Sequence, residues 1–182
     1  MSNNNKKKIG LLGGSFDPPH KGHIYISKKS LKLLKLNKII WAITEQNPLK
    51  RKPLLSLSQR KKLCLKLIKN NKKIQLKYLE DKIKSKTSIA LIKYLKKFHN
   101  YNIFFIVGSD KILELHRWKN YKQILKIANL VVFSRKGFDT KAKKSAIMKK
   151  LNNKNITFFK KLRINVSSTR LRNKIINGSK RN

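Results

Sequence analysis

The chain is predicted to be an α/β protein built on a doubly wound parallel sheet with helices on both faces. Three observations carry that prediction. Short apolar, β-branched or aromatic runs recur along the 182 residues. Several are apolar throughout instead of alternating, as strands covered on both faces are. Helical patterns lie between the runs, the order that builds βαβ units. The alternation runs from end to end with no internal repeat, linker or break in composition. It predicts one Rossmann-like domain over residues 1–182, with a polar tail at 1–7 and a basic tail at 179–182.

The strand candidates are IGLLG (9–13), IIWAIT (39–44), KIQLKYL (73–79), NIFFIVG (102–108), NLVVFS (129–134) and NITFF (155–159). The first helical segment, 22–36, places Ile24, Leu31 and Leu34 near one face. The next, 57–68, follows Ser56 and Gln59, whose spacing is that of a capping box. Further helices are expected over 88–98, 121–127, 141–151 and 168–176, the last ended by Asn177-Gly178 as a C-cap signal. Ligands of such sheets bind at the carboxyl ends of the strands, where the strand order reverses. Functional residues are therefore expected directly after the strands.

An apolar content of 40% is ample for a core, but the charge is extreme: 47 Lys+Arg against 7 Asp+Glu give +40. Such a charge suggests a polyanionic partner. Its distribution argues otherwise, because the lysines are spread along the chain among abundant Asn and Ile while Arg is sparse, the pattern of an AT-rich coding sequence. No aromatic-interleaved basic motif, zinc spacing or helix-turn-helix signature accompanies it. A solvated surface with no specific nucleic-acid partner is the expectation. Cys64, the one cysteine, sits among leucines in KKLCLKLI and reads as a small buried hydrophobe. The start MSNNNKKK resembles a signal n-region, yet the apolar run behind it is short. No run approaches the roughly 20 apolar residues that cross a bilayer. A reduced, cytoplasmic protein without a membrane partner is expected, and the sequence leaves room for a homo-oligomer.

The chemistry concentrates in IGLLGGSFDPPHKGHI, residues 9–24. Gly13 and Gly14 end the first strand, where missing side chains let the backbone turn and approach a ligand. Neither GxxxxGK[ST] nor GxGxxG is present, so a phosphate site must be built differently. Pro18 and Pro19 stiffen the loop, Phe16 reads as packing, and His20 and His23 share a face in the first turn of the helix beside its free amides. Two histidines at this spacing are also half of a zinc site. His99 and His116 carry no spacing that would complete it, so anion binding is the better reading. Near the other end, VSSTRLR (166–172) offers Ser167, Ser168 and Thr169 as hydroxyls at a helix start, with Arg170 and Arg172 as forked donors for phosphate. Alone it is a plain N-cap with solvated arginines; beside the first loop it gains a role.

GGSFDPPHKGH resembles the signature of nucleotidyltransferases with an HxGH motif, and VSSTRLR resembles their C-terminal SSTxxR motif. NPLK (47–50), VGSD (107–110), HRW (116–118) and SRKG (134–137) fall where the nicotinate-nucleotide adenylyltransferase family has motifs of its own. The resemblance runs in the right order from Lys8 to about Gly178. It implies transfer of the adenylyl group of ATP to nicotinate mononucleotide, giving nicotinate adenine dinucleotide and pyrophosphate on the way to NAD. The nucleophile is then a phosphate already ionised at neutral pH, so no general base is required, and aligning two anions is the main task. That fits a chain short of carboxylates. Mg2+ would be held mainly by ATP phosphates and water.

By the same resemblance, Gly13, Gly14 and Ser15 line the nucleotide phosphates, and His20 and His23 contact the triphosphate, with His23 at the α-phosphate. Ser168, Thr169 and Arg172 close over the phosphates, with Arg172 counted with the histidines as catalytic. Asp110 is placed near the ribose or nucleotide, where its carboxylate would accept two hydroxyls. Lys50 and Arg135 contact phosphates, Lys50 on the nicotinate-nucleotide side and Arg135 on the ATP side. Trp118 stacks on the pyridine ring, although its bare sequence reads as an ordinary core tryptophan. KTSIALI departs from the family's tyrosine-threonine pair, having Thr87 and Ser88 instead, and Ser88 takes the nicotinate carboxylate. Pantetheine-phosphate adenylyltransferases, which usually have threonine where His20 stands and lack an HRW segment, are the nearest alternative; cytidylyltransferases are further away. A basic nucleic-acid-binding protein is the alternative from a different class.

Overall fold

The computed structural model describes residues 6–135, 137–145, 148, 155–160, 168 and 171–173. Six strands form one sheet: β1 (Lys8–Gly14), β2 (Lys38–Ile43), β3 (Ile74–Lys77), β4 (Asn102–Gly108), β5 (Asn129–Phe133) and β6 (Ile156–Phe159). Every pairing is parallel, in the order β3-β2-β1-β4-β5-β6. The chain runs outward from β1 to β3, then crosses back to start again at β4. The strand order therefore reverses between β1 and β4, and their carboxyl ends flank the crevice where such sheets bind ligands.

The all-apolar strand sequences follow from cover on both faces. In β2, Ile39, Trp41 and Ile43 face one core while Ile40 and Ala42 face the other. Helices α1 (Lys21–Leu33) and α2 (Leu57–Ile68) supply Ile26, Cys64 and Ile68 to the first of these cores. On the opposite face α4 (Ser88–His99), α5 (Ser109–Glu114), α6 (Tyr121–Ile127) and α7 (Asp139–Lys144) bring Ile92, Ile112, Ile124 and Ala142, all nearly inaccessible. Cys64 is fully buried, and burial pushes its thiol up to about 12.

Most of the expected elements appear with shifted ends. The residues of α1 fully buried are Gly22, Ile26, Ser27 and Ser30, whereas Ile24, Leu31 and Leu34 are only partly buried along the flank. Ser27 can be buried because its hydroxyl accepts the Trp41 indole N–H at 2.8 Å. The capping box of α2 forms as read: Ser56 Oγ accepts the Gln59 N–H at 3.2 Å, and Gln59 Oε1 accepts the Ser56 N–H at 2.9 Å. Two short helices were not legible: α3 (Glu80–Ile83), and α5 with the 3-10 turn Leu115–Arg117 that continues it. Neither is long enough to show a helical period. Of the expected helix 141–151, the described part is α7, which starts earlier; the expected cap at Asn177-Gly178 and both chain tails up to residue 5 and from 179 lie outside the described residues. No helix among the described residues is long and apolar enough to cross a membrane.

One buried cation ties the crevice side together. Arg60 in α2 is 1% exposed. Its guanidinium donates to four carbonyls: Leu55 at 3.0 Å, Ser15 at 2.6 Å, Thr44 at 2.8 Å and Glu45 at 2.8 Å. These belong to the loops that leave β1 and β2. Replacing Arg60 by Met should strand those carbonyls and destabilise the protein by about 3 kcal/mol or more. Arg60→Lys should recover less than half of that, because one ammonium cannot reproduce a fork aimed at four acceptors. Urea unfolding of the three proteins checks this; equal stability of wild type and Arg60→Met would refute the role.

Candidate active site

The turn after β1 is made differently from what its glycines suggest. The strand continues through Gly13 and Gly14, and the residue in the left-handed region is Phe16, with φ 49°. Phe16 tolerates it because its ring is locked, 3% exposed and stacked on Trp41 with centroids 5.0 Å apart. Nothing lies within 4 Å of where a Gly13 side chain would stand, so that glycine leaves open space for a ligand.

From Phe16 the chain passes through Asp17, 2% exposed, whose carboxylate accepts the N–H groups of Leu54 at 2.8 Å and Leu55 at 3.0 Å. Arg60 holds the same residue, Leu55, by its carbonyl, so the loops after β1 and β2 are fixed against each other. His20 caps α1 in an extended conformation, and its backbone N–H donates to His23 Nδ1 at 3.1 Å. The two imidazoles lie 3.9 Å apart, centroid to centroid.

That one hydrogen bond fixes chemistry. A neutral imidazole whose Nδ1 accepts must carry its proton on Nε2. Desolvation first, then the adjacent His20 and the cations Arg135 and Lys50, push His23 down to about 3. Desolvation and then Arg135 push His20 down to about 4. Both rings are therefore neutral at physiological pH, and His23 is a hydrogen-bond donor through Nε2 and not a cation. His20 Nδ1 is buried without a hydrogen-bond partner among the described residues.

The C-terminal motif docks onto the same loop. Ser168 Oγ donates to the Pro18 carbonyl at 3.0 Å, Arg172 donates to the Asp17 carbonyl at 2.8 Å, and the Arg172 guanidinium lies 3.6 Å from the Asp17 carboxylate. Sequence positions 150 or more apart thus meet over one turn. Thr169 lies outside the described residues.

After β4, Asp110 opens α5. Its Oδ2 accepts from Arg135 at 2.8 Å, while its Oδ1 is buried without a partner among the described residues. A side chain at Gly108 would collide with that Oδ1, so the glycine is required for the carboxylate to sit there. Of the two oxygens expected to accept hydroxyls, Oδ2 is thus shared with Arg135 and Oδ1 is turned toward Gly108.

A single cleft of about 1680 Å³ joins these parts. Gly13, Gly14, Ser15, His20 and His23 line it, together with Asp110, Arg135, Ser168 and Arg172. Lys50, Ser88 and Trp118 line it as well, so every expected site residue within the described set faces the same space. Thr87 caps α4, its hydroxyl accepting the Ala90 N–H at 3.4 Å and pairing with Ser85 Oγ at 2.9 Å, which puts Ser88 at the first helical position. Trp118 packs T-shaped against Phe105, ring centroids 5.7 Å apart, at the margin of the core, and the residue also borders the cleft. Sequence reasoning missed Arg60, Asp17 and Glu80, which accepts the Thr44 hydroxyl and the Glu45 N–H.

Among the described residues, no three His, Cys, Asp or Glu side chains come together to hold a metal ion. The donors lining the cleft suit a divalent ion that arrives on the phosphates of a nucleotide, not one caged by the protein.

The cytidylyltransferase-like family matches residues 11–174. A Pelagibacter ubique protein named "Probable nicotinate-nucleotide adenylyltransferase" is 44% identical over 170 residues, spanning 93% of this chain and 94% of its own. A Clostridium tetani protein of the same name is 36% identical, over 94% of this chain and 88% of its own. Among solved structures, Plasmodium falciparum nicotinic acid mononucleotide adenylyltransferase complexed with NaAD superposes with a TM-score of 0.76 at 25% identity, covering 96% of this chain and 89% of that one. The chain belongs to the nicotinate-nucleotide adenylyltransferase family, within the cytidylyltransferase-like nucleotidyltransferases.

Proposed function

We propose that the protein transfers the adenylyl group of ATP to nicotinate mononucleotide, releasing pyrophosphate and forming nicotinate adenine dinucleotide. The observation that carries this is the single cleft that joins a histidine and arginine anion site to an aromatic end at Trp118. Its volume exceeds the roughly 300–1,000 Å³ of ordinary ligand pockets, as two nucleotides side by side require. The names of the relatives support the same reaction, and the Plasmodium falciparum relative is described in complex with its dinucleotide, NaAD.

In this reading the phosphate of the mononucleotide attacks the α-phosphorus of ATP. The bond to the bridging oxygen breaks, and pyrophosphate leaves with the electron pair. No proton must be removed from the nucleophile. The protein's task is to align two anions and to offset charge on the α-phosphate as the transition state forms. His23 Nε2–H serves that oxygen, His20 serves the neighbouring phosphates, and Arg172 with Ser168 closes from the other side. Arg135 and Lys50 supply cationic donors. Asp110 Oδ1, held by Arg135 through the other oxygen, accepts from a ribose hydroxyl. Mg2+ bound to the triphosphate supplies further charge neutralisation. A cytoplasmic compartment suits the substrates and the free, buried Cys64.

Pyrophosphate release measured with ATP and nicotinate mononucleotide, nicotinamide mononucleotide or phosphopantetheine tests the reading. Rapid release with phosphopantetheine and none with the two pyridine nucleotides would overturn it. Within the first reaction, His23→Ala should lower kcat by about two orders of magnitude or more with the fold intact, as loss of an aimed donor does. Normal turnover in folded His23→Ala would contradict the mechanism.

Acid should act on stability in a defined direction. The unfolded chain binds protons at His20 and His23 near the ordinary pKa of 6.5, whereas the folded protein resists them to about 4 and about 3. Their contribution to stability is complete above 6.5 and is lost as the pH falls toward those values. Histidine ring resonances of His20 and His23, followed by NMR in the unliganded protein, should therefore show no protonation between pH 8 and about 5. Titration of His23 near 6.5 would refute the neutral-donor assignment.

Selectivity for the nicotinate form must come from donors near a carboxylate, since the nicotinamide form differs only there. Ser88, at the start of α4, would donate to that carboxylate, whereas an amide NH2 in its place leaves donors facing each other. The expected preference is at least about tenfold in kcat/KM, or about 1.4 kcal/mol. Ser88→Ala should narrow it, and Trp118→Ala should raise KM for both forms. An unchanged ratio in Ser88→Ala refutes that assignment.

A further inference from the structure

Asp139 does not border the cleft, yet it is one of only 7 acidic residues in the chain and its carboxylate is fully engaged. It opens α7. Oδ1 accepts the Arg135 backbone N–H at 2.9 Å and the Ser109 hydroxyl at 2.8 Å, and Oδ2 accepts the Ser134 hydroxyl. The Ser109 oxygen in turn accepts the same Arg135 N–H at 2.9 Å. Ser109 and Ser134 are both completely buried. The carboxylate thus joins the exit of β4, the exit of β5 and the start of α7 at one point. Burial opposes its charge, but the hydrogen bonds from Ser134, Arg135 and Ser109, helped by Lys143, hold its carboxyl below the ordinary range.

We propose that Asp139 is a positioning residue for nucleotide binding: it fixes the backbone from which Arg135 reaches the cleft, and so sets both the Arg135 guanidinium and the Asp110 carboxylate paired with it. The geometry is direct. Arg135 is pinned at its amide by two acceptors, the fully buried Ser109 hydroxyl and the Asp139 carboxylate, and its own side chain donates to Asp110 Oδ2 at 2.8 Å. A long flexible side chain anchored at its backbone has fewer arrangements to lose when it engages a phosphate. Ser109 precedes Asp110, so the same hub also orients the residue whose carboxylate pairs with Arg135. The inference rests on the adenylyltransferase reading for the identity of the nucleotide.

The test is a double-mutant cycle read by affinity for a non-hydrolysable ATP analogue, which needs no acceptor and no turnover. Calorimetry on wild type, Asp139→Ala, Arg135→Ala and the double variant gives the four values. Asp139→Ala should weaken nucleotide binding about fivefold or more, while in the Arg135→Ala background the same change should cost less than about twofold. Asp139→Asn, which keeps an acceptor for the Arg135 N–H, should fall between wild type and Asp139→Ala; it and Ser109→Ala stand in if Asp139→Ala does not fold. KM for nicotinate mononucleotide should stay within about twofold in each Asp139 variant, a split that general loosening of the fold would not produce. Independent, multiplicative effects of the two substitutions, or equal losses for both substrates, overturn the proposal. Intact analogue binding with no use of nicotinate mononucleotide by the wild type would overturn the functional reading and leave the cycle to decide this one.

Discussion

The arrangement of the cleft depends on a buried guanidinium. Arg60 draws carbonyls from the loops after β1 and β2 onto one cation, and Asp17 takes the amides of the same Leu54-Leu55 segment. A parallel sheet supplies a crevice but no fixed loops; the strand ends diverge and need something to hold them. Here the two charges hold Leu55 by both its N–H and its carbonyl. Phe16 can then sit in a left-handed turn, His20 is presented as the cap of α1, and Arg172 has an anion to lean on. Without that junction the histidines would belong to a flexible loop.

The charge of the protein looks different once its members are placed. Each of the 7 carboxylates accepts a hydrogen bond, and each lies in a segment that follows the carboxyl end of a strand: Asp17 after β1, Glu45 after β2, Glu80 and Asp81 after β3, Asp110 and Glu114 after β4, and Asp139 after β5. The described arginines behave likewise. Arg51, Arg117, Arg135 and Arg172 line the cleft, and Arg60 lies beneath it. Lysine, a flexible point charge, lines the cleft too and also covers the rest of the surface, while the planar forks and the acceptors are concentrated where geometry matters. The excess of positive charge over the surface as a whole favours encounter with anionic substrates.

The fold was legible because it is written in periodicity. All six strands were read within about two residues, the scale on which element ends fray, since an apolar run between helical patterns has few other uses in a parallel sheet. The helices α3 and α5 escaped because a turn or two carries no period. The phosphate loop and the C-terminal motif could be read because backbone shape and donor type are constrained over several adjacent residues. Arg60 and Asp17 could not, as most of their partners come from loops distant in sequence, nor could Asp139, since a single charged residue announces neither its burial nor its partners even when two of them, Ser134 and Arg135, are close by. The turn at Phe16 was hidden for a related reason: two glycines sit beside it, and only the packing of its ring on Trp41 shows why a phenylalanine takes the left-handed conformation.

What distinguishes the site is that His23 is held as a neutral donor, with its Nδ1 already occupied by a backbone N–H and its proton on Nε2. That ring has no free lone pair for attack, in keeping with the proposed single in-line displacement between the two substrates. The stereochemistry at the α-phosphorus reports this directly. With ATP made chiral at that phosphorus by sulfur substitution, a single displacement predicts inversion of configuration in the dinucleotide product, whereas retention would mean two displacements through an adenylyl-histidine and would contradict the account.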